Sequence, residues 1–209
     1  MICQGDARYI PLAANSVDLI FTDPPYSKTA LPSYSWLAHE AVRILRPEAF
    51  VLAMCGGAFL DEVFRSFSES GLTFYWKYEI ELVGWATGVY WPRGNHKVQV
   101  TTRVKSILAY SKGPSLSRTS TLGLFRSDGA DKRYHHWGQD VSSARYYIDC
   151  FSKPGDLVLD PFVGGGTTLV ACQLLGRRGI GIDLDKAACT TSRDRLVHSD
   201  TARPLPLFT

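Results

Sequence analysis

Short apolar runs and amphipathic stretches alternate along the first third of the chain. Ser16-Val-Asp-Leu-Ile-Phe-Thr22 is rich in β-formers and runs into Asp23-Pro-Pro-Tyr26, the pattern of a strand followed by a rigid loop. From about Ser35 to Leu45, apolar residues at Trp36, Leu37, Val42, Ile44 and Leu45 precede Arg46-Pro47, which predicts an amphipathic helix stopped by proline. Phe50-Val-Leu-Ala-Met54 predicts the next strand and Phe59 to Phe67 the next helix. Residues 72–91 hold Phe74, Tyr75, Trp76, Tyr78, Trp85, Tyr90 and Trp91, read as core or sheet edge, with a DNA-stacking platform or a dimer contact as alternatives. Val104 to Tyr110 predicts another strand. The polar, basic, turn-rich stretch after it, at about 113–134, is the best candidate for an exposed functional loop.

In the last third the alternation restarts. Asp156-Leu-Val-Leu-Asp160 predicts a strand, Gly164-Gly-Gly-Thr-Thr168 a glycine loop, Leu169 to Leu175 a helix and Gly179-Ile-Gly-Ile-Asp183 a second strand. Strand, glycine loop, helix, strand and terminal acid make a βαβ unit of the kind that binds a nucleotide-like ligand at the carboxyl ends of parallel strands. The fold class is therefore α/β, expected as one domain over residues 1–209 with a basic insertion at about 113–134.

Composition narrows the function. The 209 residues are 45% hydrophobic and 21% charged, ordinary for a globular chain. No apolar run approaches the ~18 residues of a membrane span and no secretion signal is evident, so a soluble, cytoplasmic protein without membrane contact is expected. Five scattered cysteines without a CxxC pair argue against a disulfide framework or a zinc site, and no metal is expected. The net charge of +3 is unevenly spread. Residues 76–133 carry ten basic against four acidic residues, residues 1–75 five against eight, and residues 134–209 eight of each. A basic internal segment between neutral or acidic flanks suits contact with phosphates, although a solvated face would also produce it.

Two motifs carry chemistry. Asp160-Pro-Phe-Val-Gly-Gly-Gly-Thr-Thr168 lacks both the dinucleotide glycine spacing and the lysine of a phosphate-binding loop. A cationic, phosphate-free ligand fits better, and S-adenosylmethionine suits it, with a carboxylate at Asp160 and another at Asp183 for ribose hydroxyls. The competing reading is a glycine-rich turn with no ligand. In Asp23-Pro-Pro-Tyr26 the prolines remove two N–H donors, leaving the Asp23 carboxylate and the Pro24 carbonyl as paired acceptors for an amino group with two hydrogens. Tyr26 offers a face on which a flat ring can stack. The alternative is a rigid turn with a helix-capping aspartate.

These residues resemble the amino-methyltransferases of DNA, which methylate adenine N6 or cytosine N4 with S-adenosylmethionine. Thr22-Asp-Pro-Pro-Tyr26 is similar to their catalytic motif, Val158 to Thr168 to their cofactor motif and Gly181-Ile-Asp183 to their ribose-binding element. Gln4-Gly5-Asp6 resembles the element whose acid contacts the cofactor's adenine. His136-Trp-Gly-Gln139 matches at His136 and Gln139 an element that contacts the methionine moiety, but Asp140 replaces its lysine and no proline follows, and a helix-capping role is the alternative. The resemblance implies a Rossmann-like methyltransferase fold, with a mostly parallel twisted sheet, helices on both faces and a circularly permuted order. The strand at 157–160 must then pair with the one at 17–22, bringing both loops to one sheet edge.

The resemblance implies catalytic Asp23, Pro24, Pro25 and Tyr26. It implies cofactor contacts from Asp6, His136, Gln139, Asp160, Phe162, Gly164, Gly166, Thr167 and Asp183. Base flipping is implied, with Asp at position 23 favouring adenine N6 over cytosine N4 by the family pattern. Arg118, Arg126, Lys132 and Arg133 are the candidates for DNA contact, more to phosphates than to bases. A short or relaxed target site follows from the small insertion. Possible partners are a second copy, a restriction endonuclease and, through Pro204-Leu-Pro-Leu-Phe208, a sliding clamp, although packing of this tail on its own domain is the plainer reading. The rivals are an RNA or protein-amide methyltransferase and a non-catalytic nucleic-acid-binding module.

Overall fold

The apolar run that ends at Asp23 lies in the middle of an eight-stranded sheet. The computed structural model describes residues 1–83, 87–93, 96–129 and 141–199. Its strands are β1 (Ile2–Gln4), β2 (Val17–Thr22), β3 (Leu45–Cys55), β4 (Thr73–Glu81), β5 (Thr87–Arg93), β6 (His96–Thr102), β7 (Val104–Ser111), β8 (Leu124–Arg126), β9 (Leu157–Asp160) and β10 (Arg178–Asp183). The α-helices are α1 (Leu31–Ile44), α2 (Leu60–Ser68), α3 (Val141–Phe151), α4 (Thr167–Leu174) and α5 (Lys186–Ser199). The large sheet runs β1-β10-β9-β2-β3-β7-β4-β8, and β5 and β6 form a separate antiparallel hairpin. Neighbours from β1 through β3 are parallel, whereas β7 runs antiparallel to both β3 and β4.

Alternation along the central strands divides the core between the two faces. Leu19 and Phe21 of β2, with Phe50, Leu52 and Met54 of β3, pack against Ala144, Tyr147, Ile148 and Phe151 of α3 and Ala171 and Cys172 of α4. Ile20, Val51, Ala53 and Cys55 face the other way, among Tyr34, Leu37, Ala38 and Ala41 of α1 and Val63 and Phe67 of α2. Helices on both faces of a mostly parallel sheet are thus observed, as expected. The pairing of the strand at 157–160 with that at 17–22 is present too, with Leu19 opposite Val158 and Ile20 opposite Leu159.

Several local expectations change. α1 ends at Ile44, and β3 starts at once, so Pro47 lies inside the strand rather than beyond a stopped helix. There the register against β2 slips from Val17–Leu45 to Leu19–Phe50, a bulge that accommodates Pro47 and the positive φ of Glu48, 66°. The aromatic segment enters the sheet as β4, buries Tyr78 and leaves Trp76 exposed. The polar stretch after β7 is not all loop, since β8 pairs parallel with β4. All five cysteines are free thiols; Cys55, Cys150, Cys172 and Cys189 are buried. Among the described residues no helix is long and apolar enough to cross a membrane.

Candidate functional site

Parallel neighbours end at the same sheet edge, so β1, β10, β9, β2 and β3 deliver their following residues to one rim. Along it lie Asp6, Asp183, Asp160 and Asp23. The backbone closes the row, with Gly5 N–H donating to the Asp183 carbonyl at 2.9 Å and Val163 N–H to the Ile182 carbonyl at 2.9 Å.

Asp160 is the joint between the two motifs. The residue is 3% exposed, and its carboxylate accepts from Thr22 Oγ1 at 2.7 Å, Thr168 Oγ1 at 2.6 Å and the Phe162 N–H at 3.1 Å. Burial pushes its pKa up to about 6, against the opposing effect of these hydrogen bonds. Thr22 immediately precedes Asp23, so a single buried carboxylate ties the catalytic-motif strand to the glycine loop.

The glycine loop is held from both sides. The Asp183 carboxylate accepts from Gly164 N–H at 2.9 Å and from Asp185 N–H at 2.9 Å. From α5, Ser192 donates to the Gly164 carbonyl at 2.6 Å and Arg195 to the Gly165 carbonyl and Thr167 Oγ1 at 2.9 Å each. Gly166, with φ of 78°, begins α4, and a Cβ there would lie 3.1 Å from Ser192. The N–H groups of Phe162, Gly164 and Gly166 all donate within the protein, so they form no nest for a phosphate. With Asp6 and Asp183 around the loop and no lysine in it, the residues fit a cationic, hydroxyl-bearing ligand such as S-adenosylmethionine. Asp160, expected as a carboxylate facing that ligand, instead lies buried and accepts from Thr22, Phe162 and Thr168, so it supports the loop from beneath. Phe162, in the loop, is half-buried. Asp6 is paired with Arg8 at 2.5 Å, and the hydrogen bond from that guanidinium lowers its pKa.

Asp23 and Tyr26 are linked, the tyrosine hydroxyl donating to Asp23 Oδ1. Tyr26 as a whole is 37% exposed, while desolvation and the nearby carboxylate raise the phenol pKa. Pro24 is buried, with the Tyr34 hydroxyl 3.5 Å from its carbonyl and donating to the Met54 carbonyl at 3.1 Å. Lys105, at the start of β7, places Nζ 3.1 Å from Asp23 Oδ2 and 5.2 Å from the Tyr26 ring centre. The rim therefore holds a carboxylate, a backbone carbonyl, an aromatic face and an ammonium.

The structure brings together Asp6, Asp23, Pro24, Pro25, Tyr26, Asp160, Phe162, Gly164, Gly166, Thr167 and Asp183. His136, Gln139, Lys132, Arg133 and the tail at 204–208 lie outside the described residues. Arg118 is held by the scaffold, its guanidinium donating to the Ser152 carbonyl and its N–H to the Cys150 carbonyl. Arg126 is exposed on β8, with a loose 3.9 Å contact to Glu81. Sequence reasoning missed Lys105, Tyr34, Ser192 and Arg195. Each acts across a fold contact, and the basic segment was the only signal that touched Lys105.

A family model described as "DNA methylase" matches residues 125–194. The chain is 27% identical to the type II methyltransferase M.HpaI of Haemophilus parainfluenzae over 94% of its own length and 73% of that protein. It is 28% identical to the putative methylase YubD of Escherichia coli over 87% of its length and 83% of the relative. The structure of an M1.HpyAVI–SAM complex superposes with a TM-score of 0.74 at 25% identity, covering 93% of this chain and 98% of that one. The cytosine-N4-specific PvuII DNA methyltransferase shares the fold, with a TM-score of 0.76 at 16% identity over 93% of this chain and 85% of that one.

Proposed function

Because the chain belongs to the amino-methyltransferases of DNA, with S-adenosyl-L-methionine as cofactor, we propose that it methylates N6 of adenine in DNA after flipping the base out of the duplex. The observation that carries this reading is the tie through Asp160, which holds the amino-group acceptors of Asp23-Pro24 beside the glycine loop. Asp6, Phe162, the loop at 164–167 and Asp183 hold the cofactor, which supplies an electrophilic sulfonium methyl. Asp160 acts from beneath, setting the loop's shape and its distance from Asp23.

The adenine amino nitrogen is a poor nucleophile because its lone pair is delocalised into the ring. Asp23 and the Pro24 carbonyl accept its two hydrogens and favour the tetrahedral, partly positive nitrogen of the transition state, an electrostatic effect of a few kcal/mol. Tyr26 stacks on the extruded ring, and its protonated hydroxyl orients the carboxylate. The fixed spacing of the two loops contributes by orientation. The basic segment at about 113–134 contacts DNA, with Arg126 the exposed cation among the described candidates and Arg118 shaping the segment through its bonds to the scaffold.

Cytosine N4 is the second reading, favoured by the likeness to the PvuII enzyme. Asp at position 23 supports adenine by the family pattern. DNA from cells expressing the chain, digested to nucleosides and analysed by mass spectrometry, should contain N6-methyldeoxyadenosine. N4-methyldeoxycytidine in its place would select the second reading, and neither product would refute both.

A further inference from the structure

Lys105 has no part in the account above, yet it stands beside Asp23 and Tyr26 at the rim. Because β7 runs antiparallel to β3, its first residues lie where the parallel strands end, with Ser106 opposite Cys55 and Lys105 opposite Ile80. Its side chain is only 11% exposed, and its ammonium touches both the carboxylate and the aromatic ring that the base would meet. Confining a long, charged side chain costs rotamer entropy and hydration. An apolar residue would fill this position without that cost, which directs attention to what the ammonium can do for a ligand.

We propose that Lys105 reads the ring nitrogen next to the target amino group, an inference that rests on the function proposed above. Adenine and cytosine each present an amino donor beside an unprotonated ring nitrogen, N1 in adenine and N3 in cytosine. Asp23 and Lys105 present the complementary pair, an acceptor beside a donor, with their charged atoms 3.1 Å apart. An ammonium has three hydrogens, so it can keep its bond to Asp23 while donating to the base. Guanine and thymine carry a carbonyl beside a ring N–H at the corresponding edge. Bound in the same way, they would set oxygen against carboxylate and N–H against ammonium. Lys105 also occupies the lone pair of the ring nitrogen, the more basic site and a competitor for the methyl group, and so directs transfer to the amino nitrogen.

The test combines one atom of the base with one side chain. Sequencing DNA from expressing cells locates the target site, and duplexes are made with either adenine or 1-deazaadenine at the target; for a cytosine target, 3-deazacytosine is used. The deaza base keeps its amino group and replaces the ring acceptor by C–H. kcat/KM is measured with labelled cofactor for the wild type and Lys105→Met, and calorimetric cofactor binding reports that the variant is folded. The wild type should lose roughly 10- to 100-fold on the deaza base, the range of a hydrogen bond to a charged group. Lys105→Met should lose a similar factor on the natural base and under about threefold more on the deaza base. Lys105→Leu replaces the methionine variant should the latter fail to bind cofactor. A wild type indifferent to the deaza base, or an undiminished deaza penalty in the variant, overturns the role of Lys105 while leaving the function standing. A wild type that methylates no DNA base overturns both.

Discussion

Replacing Thr22 by valine keeps the shape of a fully buried side chain and deletes one hydroxyl, the donor 2.7 Å from Asp160 Oδ1. A hydrogen bond to a charged group is worth about 1.5–3 kcal/mol, which for a domain of this size corresponds to a fall in Tm of about 3–12 °C. The loss should depend on pH. With its pKa raised from 3.8 to about 6, Asp160 keeps its proton in the native state where the unfolded chain has released it. The native state thus binds more protons within that window, and this group's contribution to stability falls as pH rises through it, by about 3 kcal/mol in all. The Thr22 hydroxyl opposes the rise by favouring the ionised form, so its removal pushes the native pKa above 6. The deficit of Thr22→Val relative to wild type should therefore be full at pH 8 and much smaller at pH 5, where native Asp160 is mostly protonated. Urea unfolding followed by circular dichroism at the two pH values measures it. A deficit below about 0.5 kcal/mol at pH 8, or an equal one at both, would refute the tie between the motifs as described.

Other outcomes follow from the same geometry. Tyr26→Ala should lower kcat/KM for DNA by roughly 5- to 150-fold, the value of one base–aromatic stack of about 1–3 kcal/mol, while Tyr26→Phe keeps most of the activity; equal losses in both would place the role in the hydroxyl. Gly181→Ala would set a Cβ 2.6 Å from Val163 Cγ2 and 2.9 Å from Leu169 Cδ1, costing about 1–3 kcal/mol and weakening cofactor binding by displacing the loop, as calorimetry would show. Arg177 is buried and donates to the Leu175 and Ser152 carbonyls and to Asp149. Arg177→Ala should destabilise by about 2–3 kcal/mol without changing the DNA product, and an unchanged urea midpoint would contradict that account.

Elements with a clear period were legible: β2, α1, α2, β7 and the unit from β9 through β10 lie close to their predicted places. β1 was not predicted, because three residues carry no usable period, and its place at the sheet edge comes from pairing with β10. β4 was obscured by its aromatic density. The bulge between Phe74 and Trp76 puts Tyr75 and Tyr78, three residues apart, against the same Phe151 ring, an arrangement that strict alternation does not anticipate.

The chemistry of this protein was written locally. Two acceptors and an aromatic ring in Asp23-Pro24-Pro25-Tyr26, and a glycine loop without a lysine, are properties of short contiguous stretches, so they are legible in the sequence alone. The tertiary structure decided how they act together. Asp160 and Thr22 lie 138 residues apart and share a buried hydrogen bond because β9 and β2 are parallel neighbours. Lys105 reaches Asp23 across 82 residues because β7 runs antiparallel to β3 and brings its start to the rim where the parallel strands end. Strand order and direction are set by packing over the whole sheet, and no local pattern encodes them.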